Sequence, residues 1–555
     1  MPDIGQGPGW LPVLPDWLRV QLSSPEAAEN LLVCVDNTTG VSIYVPVGSP
    51  DTFWWCIGRS GEVVLTDDLR LTGCDEHALD PQGIYTLLQF GTLLAPFSCW
   101  RGVSSIPAGR RLQIQRGTGV VPVRAAVPNS RPAEGRRRDS GQIETGVISE
   151  IDGKLRSGRE SGSLIILFSG GVDSGLLAAR AAALRFKDTT LVNLAFGPSD
   201  PESLLAEQMA RSLGLRFVRV IAHELARVAG ELLDRAVKLY RFPFADLSAV
   251  PTFALVRQVL DMFGDRPHVV LEGTGGDACF GLSAKARKWA KVHSLPKMVR
   301  GSLARELYAR MGCAYGRGPA GVERLLRVLV RAGALPFPLS AIAQNPLWEV
   351  GFTVPPEVQR QAVYELHNNG CWREERHSTA QLIYADVSCV CGRVFSQKTR
   401  SLFGSWPTPS ASISSKLVYP FLSDRMVHLG IETGRIVPES SRETKVVLKR
   451  ALARHVPKEL VYRRKSAFTG NVEEILRASV VKEALRAVVD NSSPLSGFIK
   501  TAFVQNVLDQ LDHIIFPDQT NSFLWLLAFC NQWLKQACIS RLDRSDCVRP
   551  RPPST

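Results

Sequence analysis

Leu164-Ile-Ile-Leu-Phe-Ser-Gly-Gly-Val-Asp-Ser174, continued by Gly175-Leu-Leu-Ala-Ala-Arg180, decides how the rest of the chain is read. Residues 164–168 form a short unbroken apolar run, the pattern of a strand buried on both faces of a parallel sheet. The spacing predicts a helix over 175–184. Between them, Ser169 to Ser174 carries two glycines, which let the backbone turn sharply and come close to a ligand. The free N–H groups and positive dipole end of the next helix suit an anion. Asp173 would repel a bare phosphate, and it makes sense if a Mg²⁺ lies between its carboxylate and phosphate oxygens.

The motif Ser-Gly-Gly-x-Asp-Ser resembles the pyrophosphate-binding loop of ATP pyrophosphatases, which convert ATP to an adenylated substrate and pyrophosphate. It is not a Walker A loop, which needs Gly-Lys-Ser/Thr. The plain alternative is a glycine turn of an unrelated α/β fold. The ordered sequence of strand, loop, acid and helix counts against that.

A second stretch repeats the logic. His268-Val-Val-Leu-Glu-Gly-Thr-Gly-Gly-Asp277 is an apolar strand, a glycine-rich turn and an acid. If both loops follow strand ends of one sheet, Asp173 and Asp277 converge on one Mg²⁺. Between the loops, residues 190–196 read as a second strand. Residues 201–213 read as an amphipathic helix closed by Gly214, and 216–221 as a third strand. That alternation gives a parallel sheet with right-handed crossovers and ligands at the carboxyl ends of its strands. Leu194 and Phe196 either wall the adenine or simply pack the core.

With 555 residues the chain has room for two or more domains. Hydrophobic content of 45% and charged content of 21% suit a globular protein. No apolar run reaches transmembrane length, and Phe523-Leu-Trp-Leu-Leu-Ala-Phe-Cys530 reads as a buried helix. The start, Met1-Pro-Asp-Ile-Gly5, lacks the pattern of a secretory signal. Twelve cysteines show no framework spacing, and Cys389-Val-Cys391 matches no zinc pattern. A reducing cytoplasm is the expected setting. The net charge of +13 fits nucleic acid, an acidic peptide or an anionic membrane face. Between Lys285 and Arg331 twelve Lys/Arg face two acids, Glu306 and Glu323; a solvated helical face is the plain alternative there.

Ahead of the nucleotide loop, residues 30–35, 42–47 and 63–66 read as strands. Residues 80–90 read as a helix, with Asp80 as N-cap and Pro81 in the first turn. With Trp100-Arg-Gly-Val-Ser-Ser-Ile-Pro-Ala-Gly109 and a strand at 111–115, this order resembles the end of a class II glutaminase domain. Such glutaminases use an N-terminal cysteine. Here Pro2 follows Met1 and the first cysteine, Cys34, lies in an apparent strand and reads as a core residue. The expected division is a degenerate glutaminase-like domain of the Ntn-type α+β sandwich at 1–125 and a linker at 126–141. An α/β ATP-pyrophosphatase-type synthetase domain with a helical C-terminal part follows at 142–545, then a flexible tail at 546–555. A helix is expected over 143–155, and helices over 340–400, where His377 and Lys398 have no assigned role.

The paired loops make residues 143–540 resemble the synthetase domain of the asparagine synthetase family. Leu417-Val-Tyr-Pro-Phe-Leu-Ser-Asp-Arg425 resembles the family's substrate-pocket segment. Lys445 and Lys465, twenty residues apart, match its pair of lysines on the ATP phosphates. Cations there stabilise the charge that builds as pyrophosphate leaves. The resemblance implies nucleotide contacts at Leu167, Ser169, Gly170, Gly171, Asp173, Ser174, Leu194, Gly273 and Gly275. It implies Mg²⁺ at Asp173 and Asp277, catalytic roles for Lys445 and Lys465, and ATP with Mg²⁺ as cofactors.

Within the family, β-lactam synthetases use a Tyr/Glu pair, and those positions hold Thr274 and Lys416 here. Gly-Thr-Gly-Gly-Asp, the length and the degenerate first domain resemble the lasso peptide cyclases. That resemblance implies a ribosomally made precursor peptide as substrate, with a leader peptidase, leader-binding protein and exporter as partners, an exporter being a link to the inner membrane face. Nucleic acid is not expected. The alternatives are an asparagine synthetase or β-lactam synthetase-like amide ligase, a tRNA-modifying ATP pyrophosphatase, and a non-catalytic scaffold.

Overall fold

The computed structural model describes residues 15–23, 27–28, 30–37, 40–58, 61–72, 79–115, 138–263, 268–315, 317–344, 352–369, 378–405, 416–436, 443–463, 472–514 and 516–545. The N-terminal unit contains β1 (Leu18–Gln21), β2 (Leu32–Asn37), β3 (Gly40–Val45), β4 (Trp54–Ile57), β5 (Val63–Thr66), β6 (Val103–Ser105) and β7 (Arg110–Gln115). They form two sheets, ordered β1-β5-β4-β6 and β2-β3-β7. Leu18, Val63 and Leu65 of the first sheet share a buried cluster with Val41, Ile43, Leu112 and Ile114 of the second, so apolar side chains of both pack in one core. The helix Pro81–Phe90 begins where Asp80 accepts the Gln82 N–H at 3.1 Å.

Cys34 corrects the reading of it as a core thiol. It lies on β2 but is exposed. A strand turns alternate residues to opposite faces, and β2 sends Val33 toward the core while Leu32 and Cys34 face out.

The second unit holds β8 (Ser163–Leu167), β9 (Thr190–Ala195), β10 (Arg216–Ile221), β11 (His268–Leu271) and β12 (Lys416–Val418). All are parallel, in the order β10-β9-β8-β11-β12. Both faces of β8 are covered. Ile165 packs with Val192, Val220, Leu255 and Val270, whereas Leu164 and Ile166 pack on the other side with Ile151, Leu155 and Leu176. The chain runs from β8 to β9 and β10 on one side, then returns to lay β11 and β12 on the other. The gap between β8 and β11 is therefore the switch point, where an open parallel sheet presents a crevice at its carboxyl edge.

The helix before β8 spans Ser140–Ser161. Asp139 and Gln142 form a reciprocal capping box, so the last residues of the expected linker, 139–141, belong to this helix start. The helix Pro201–Leu213 starts at Asp200 and stops at Gly214, whose φ of 65° a side chain would resist. Phe523 to Cys530 are fully buried inside the long helix Asp518–Ser545. No helix of the described residues is long and apolar enough to cross a membrane.

The two units share one apolar core, in which Trp54, Ile84 and Leu87 lie in the same cluster as Phe242, Phe244 and Phe529. Polar contacts pin the join. Arg241 pairs with Asp67 and stands 3.8 Å from Asp51, and Arg400 bonds Asp51 at 2.6 Å. Ser23 adds its N–H and hydroxyl to Asp67 at 2.7 and 2.6 Å. Burial still pushes the Asp67 carboxyl above its ordinary pKa, against the pull of Arg241. Removing one partner of a buried pair strands the other's charge. Arg241→Ala should therefore lower unfolding free energy by about 3–5 kcal/mol in urea titration. The deficit should shrink as pH falls, because a protonated Asp67 needs no cation.

Candidate active site

The first loop is built around two serines and two glycines. Ser174 Oγ accepts the Ser169 N–H at 3.2 Å and lies 3.3 Å from Ser169 Oγ, while Gly171 N–H points to Ser169 Oγ at 3.4 Å. Gly170 has φ of 65°, and a Cβ there would sit 2.7 Å from the Cβ of Ala206. Asn193 holds the loop's entry by donating to the Phe168 carbonyl at 2.7 Å. The helix that follows spans Val172–Ala183, three residues earlier than its apolar spacing alone marks. Gly171 takes the N-cap and offers no side-chain bond to the first turn. Those N–H groups and the dipole suit a phosphate.

The second loop leaves β11 and turns at Gly275, whose φ is 99°. It abuts the first directly. A Cβ on Gly273 would lie 3.0 Å from Asp173 Cβ, and one on Gly276 only 2.5 Å from Asp173 Cγ. The loop is walled by the segment after β12, since a Cβ on Gly275 would meet Leu422 at 2.8 Å. Leu167 is half-buried, and Leu194 packs inside the apolar cluster on one sheet face. Phe196, half-buried beyond the end of β9, is the one of the Leu194/Phe196 pair that offers surface.

Asp173 and Asp277 meet at a single cation. Lys445 Nζ stands 2.5 Å from Asp173 Oδ2 and 2.7 Å from Asp277 Oδ1. The lysine side chain is 12% exposed and Asp173 17%, but Asp277 is 79% exposed. One acid thus lines the wall and the other the open side. Burial works against the charge on Lys445, yet the fields of the two aspartates outweigh it and raise its pKa. Lys445 adopts φ of 58° at the start of the helix Val446–Leu452, and its N–H donates to the Phe280 carbonyl at 3.0 Å. A non-glycine residue in that region marks a position held by its surroundings.

The described residues hold no cluster of three or more His, Cys, Asp or Glu able to bind a metal alone. Two carboxylates on adjoining loops are nonetheless the donor set that Mg²⁺ takes when phosphates complete its shell. Lys465 and His377 lie outside the described residues. The chain leading to Lys465 is anchored at the site: Arg463 bonds Glu202 at 2.6 Å and the Gly170 carbonyl at 3.2 Å.

One acid escaped the sequence reading. Glu272 follows β11 directly, and Thr274 donates to its Oε1 at 2.7 Å. No ion pair reaches it among the described residues. Lys398, without a role until now, bonds Asp246 at 3.1 Å and Ser248 at 2.8 Å. Burial pushes the Glu272 carboxyl above its ordinary pKa, opposed by Lys398 and the Thr274 bond. The available signal was position, an acid at the carboxyl end of a buried strand next to a glycine-rich turn.

The family model described as asparagine synthase matches residues 154–380 and 410–535. The curated proteins yield no match. Among solved structures, the chain is similar to the NH3-dependent NAD synthetase from Campylobacter jejuni subsp. jejuni NCTC 11168 in complex with the nitrate ion. That likeness has 17% identity and a TM-score of 0.19, and covers 25% of this chain and 58% of that one.

The close packing of the loops makes a sharp prediction. Gly276→Ala should push the Asp173 carboxylate off Lys445 and lower ATP turnover by about a hundredfold, the scale of small misplacements in active sites. Steady-state kinetics with a parallel thermal melt will show whether activity is lost while the fold persists.

Proposed function

We propose that this chain, which belongs to the asparagine synthase family, is a lasso peptide cyclase. The family's chemistry is ATP-dependent amide formation. In this reading an Asp or Glu side chain of a precursor peptide attacks the α-phosphorus of ATP, and pyrophosphate leaves. The peptide's own α-amine then attacks the acyl carbon, AMP departs, and an isopeptide-bonded ring remains. One molecule supplies both reacting groups, which gives them a high effective concentration.

The convergence of Asp173 and Asp277 on Lys445 at the switch point carries the ligase part of this reading. The first-turn N–H groups of Val172–Ala183 receive phosphate oxygens, and Lys445 offsets charge on the departing pyrophosphate. Mg²⁺, when bound, would be held by Asp173 and Asp277 and would supply further charge stabilisation. Lys465 is assigned the second phosphate cation. The cyclase branch is supported by Gly273-Thr-Gly-Gly-Asp277 and by Thr274 and Lys416 at the two positions that β-lactam synthetases fill with Tyr and Glu. The N-terminal unit is read as a glutaminase-like domain kept as a brace. A leader peptidase and an exporter are the expected partners. Glu272 is assigned the proton of the attacking amine, with Thr274 holding its carboxylate in place.

ATP–pyrophosphate exchange tests the first half-reaction. Linear peptides with a free α-amine and an internal Asp or Glu should support exchange, and the product should be the peptide less one water. Asp173→Asn and Asp277→Asn should each abolish AMP formation in a folded protein. Exchange driven instead by free aspartate with ammonia, or by RNA, would replace the cyclase assignment, and no exchange with any of them would indicate a scaffold.

Glu272→Gln should spare exchange and slow ring closure by about 10²–10⁴-fold. A carboxyl with a raised pKa gains base function as pH climbs through that pKa. Ring closure should therefore rise with pH across that interval in the native enzyme, and Glu272→Gln should lose this limb.

A further inference from the structure

The basic stretch from Lys285 to Arg331 takes no part in the site just described. It holds twelve Lys/Arg and two acids, a surplus of ten in a chain whose whole net charge is +13. It folds as the helix Ser283–His293, an exposed turn, a π-helical turn Val299–Leu303 running into the helix Ala304–Arg310, and the helix Ala320–Ala334. The last packs on the π-turn so closely that a Cβ on Gly333 would fall 2.7 Å from Gly301 Cα.

The surface of this unit is apolar as well as basic. Twelve large hydrophobic residues stand exposed among those described, and six of them are here: Leu295, Met298, Leu303, Leu307, Val322 and Leu325. Each is at least 40% exposed, and Met298 reaches 68%. They are not scattered. A π-turn brings residues five apart to one side, which aligns Met298 with Leu303, and Leu307 follows four residues on. Val322 and Leu325 lie three apart on the neighbouring helix. Soluble surfaces do not normally gather apolar groups in this way without a partner.

The basic residues divide into two groups. Arg310 and Arg327 pair with Glu306 and Glu323, while Arg300 and Arg331 serve the backbone carbonyls of Ala332 and Gln344. Lys288, Lys291, Lys297 and Arg324 are exposed and have no acidic partner among the described residues. Lys297 opens the helical stretch directly after the exposed turn, between Leu295 and Met298. Unpaired cations interleaved with exposed aliphatic side chains match a surface that is anionic outside and apolar just beneath, which is the interface of an acidic bilayer. Single-stranded RNA would be met by exposed aromatic rings, but Trp289 and Tyr308 of this unit are buried, and Tyr315 is half-buried with Arg317 over its ring.

We propose that residues 285–331 form a docking surface for anionic phospholipid membranes, with the turn at 294–296, the helix start that follows it and the exposed aliphatic side chains entering the headgroup layer. The unit binds at the surface and does not span it, in keeping with the absence of a membrane-length helix among the described residues.

The test uses the full chain and vesicles of phosphatidylcholine, alone or mixed with phosphatidylglycerol. The chain should sediment with the mixed vesicles at least about tenfold more than with the neutral ones, and added salt should weaken this. Met298→Asp with Leu303→Asp should cut binding about tenfold without moving the thermal midpoint, and Lys288→Glu with Lys291→Glu should do the same. Hydrogen exchange on the unaltered chain should slow within 294–310 when mixed vesicles are added. Failure to sediment, binding unchanged in the aspartate variant, or unchanged exchange in that segment would each overturn the proposal. Single-stranded RNA that binds through the same lysines and displaces the vesicles would assign the surface to nucleic acid instead.

Discussion

One ammonium group, that of Lys445, lies between two carboxylates from different loops. Like charges that share a site repel, and a cation bonded to both offsets that repulsion. The lysine therefore ties the two loops together through their acids. The sheet makes this meeting possible. β8 and β11 are neighbours although about one hundred residues separate them, so the loops leaving them must meet at the same edge. Glycines at 273 and 276 then allow contact that any side chain would block. The third member arrives from 272 residues beyond Asp173, on a backbone turn in the left-handed region.

The N-terminal sheets belong mechanically to this arrangement. Their aspartates, Asp51 and Asp67, bind Arg241 and Arg400 of the second unit. Arg400 lies beside Lys398 and Thr399 in the helix Ser396–Ser405, and Lys398 in turn holds Asp246. Tyr419, next to the strand that pairs with β11, donates to the Ser396 carbonyl at 2.8 Å. A line of buried polar contacts therefore runs from the first unit to the wall behind Glu272. Burying so many charges costs desolvation that pairing only offsets. What the network supplies is a fixed geometry for the back of the pocket.

Much of this was legible in the residues. Pro201–Leu213 was readable to the residue because Gly214 closes it and its apolar spacing is regular. The β8 run and both glycine loops were equally clear, since a buried parallel strand leaves little freedom of composition. Shorter elements were not. β6 and β12 are three residues each and acquire strand character only from their neighbours. Cys34 was misplaced because an apolar run does not say which alternate residues face inward. Glu272 was overlooked because a single acid has no periodicity. Its meaning comes from burial and from the hydroxyl of Thr274. The link from Lys445 to Asp173 is a tertiary fact that no local pattern encodes.

A crystal structure with Mg²⁺ and an ATP analogue whose α,β-bridge is a methylene group tests the account most directly. The account predicts Asp173 and Asp277 on the same metal, the phosphates over the first turn of Val172–Ala183, and Lys445 Nζ moved from the carboxylates to a phosphate oxygen. A nucleotide bound elsewhere, or a metal that either aspartate ignores while Lys445 keeps both, would contradict it.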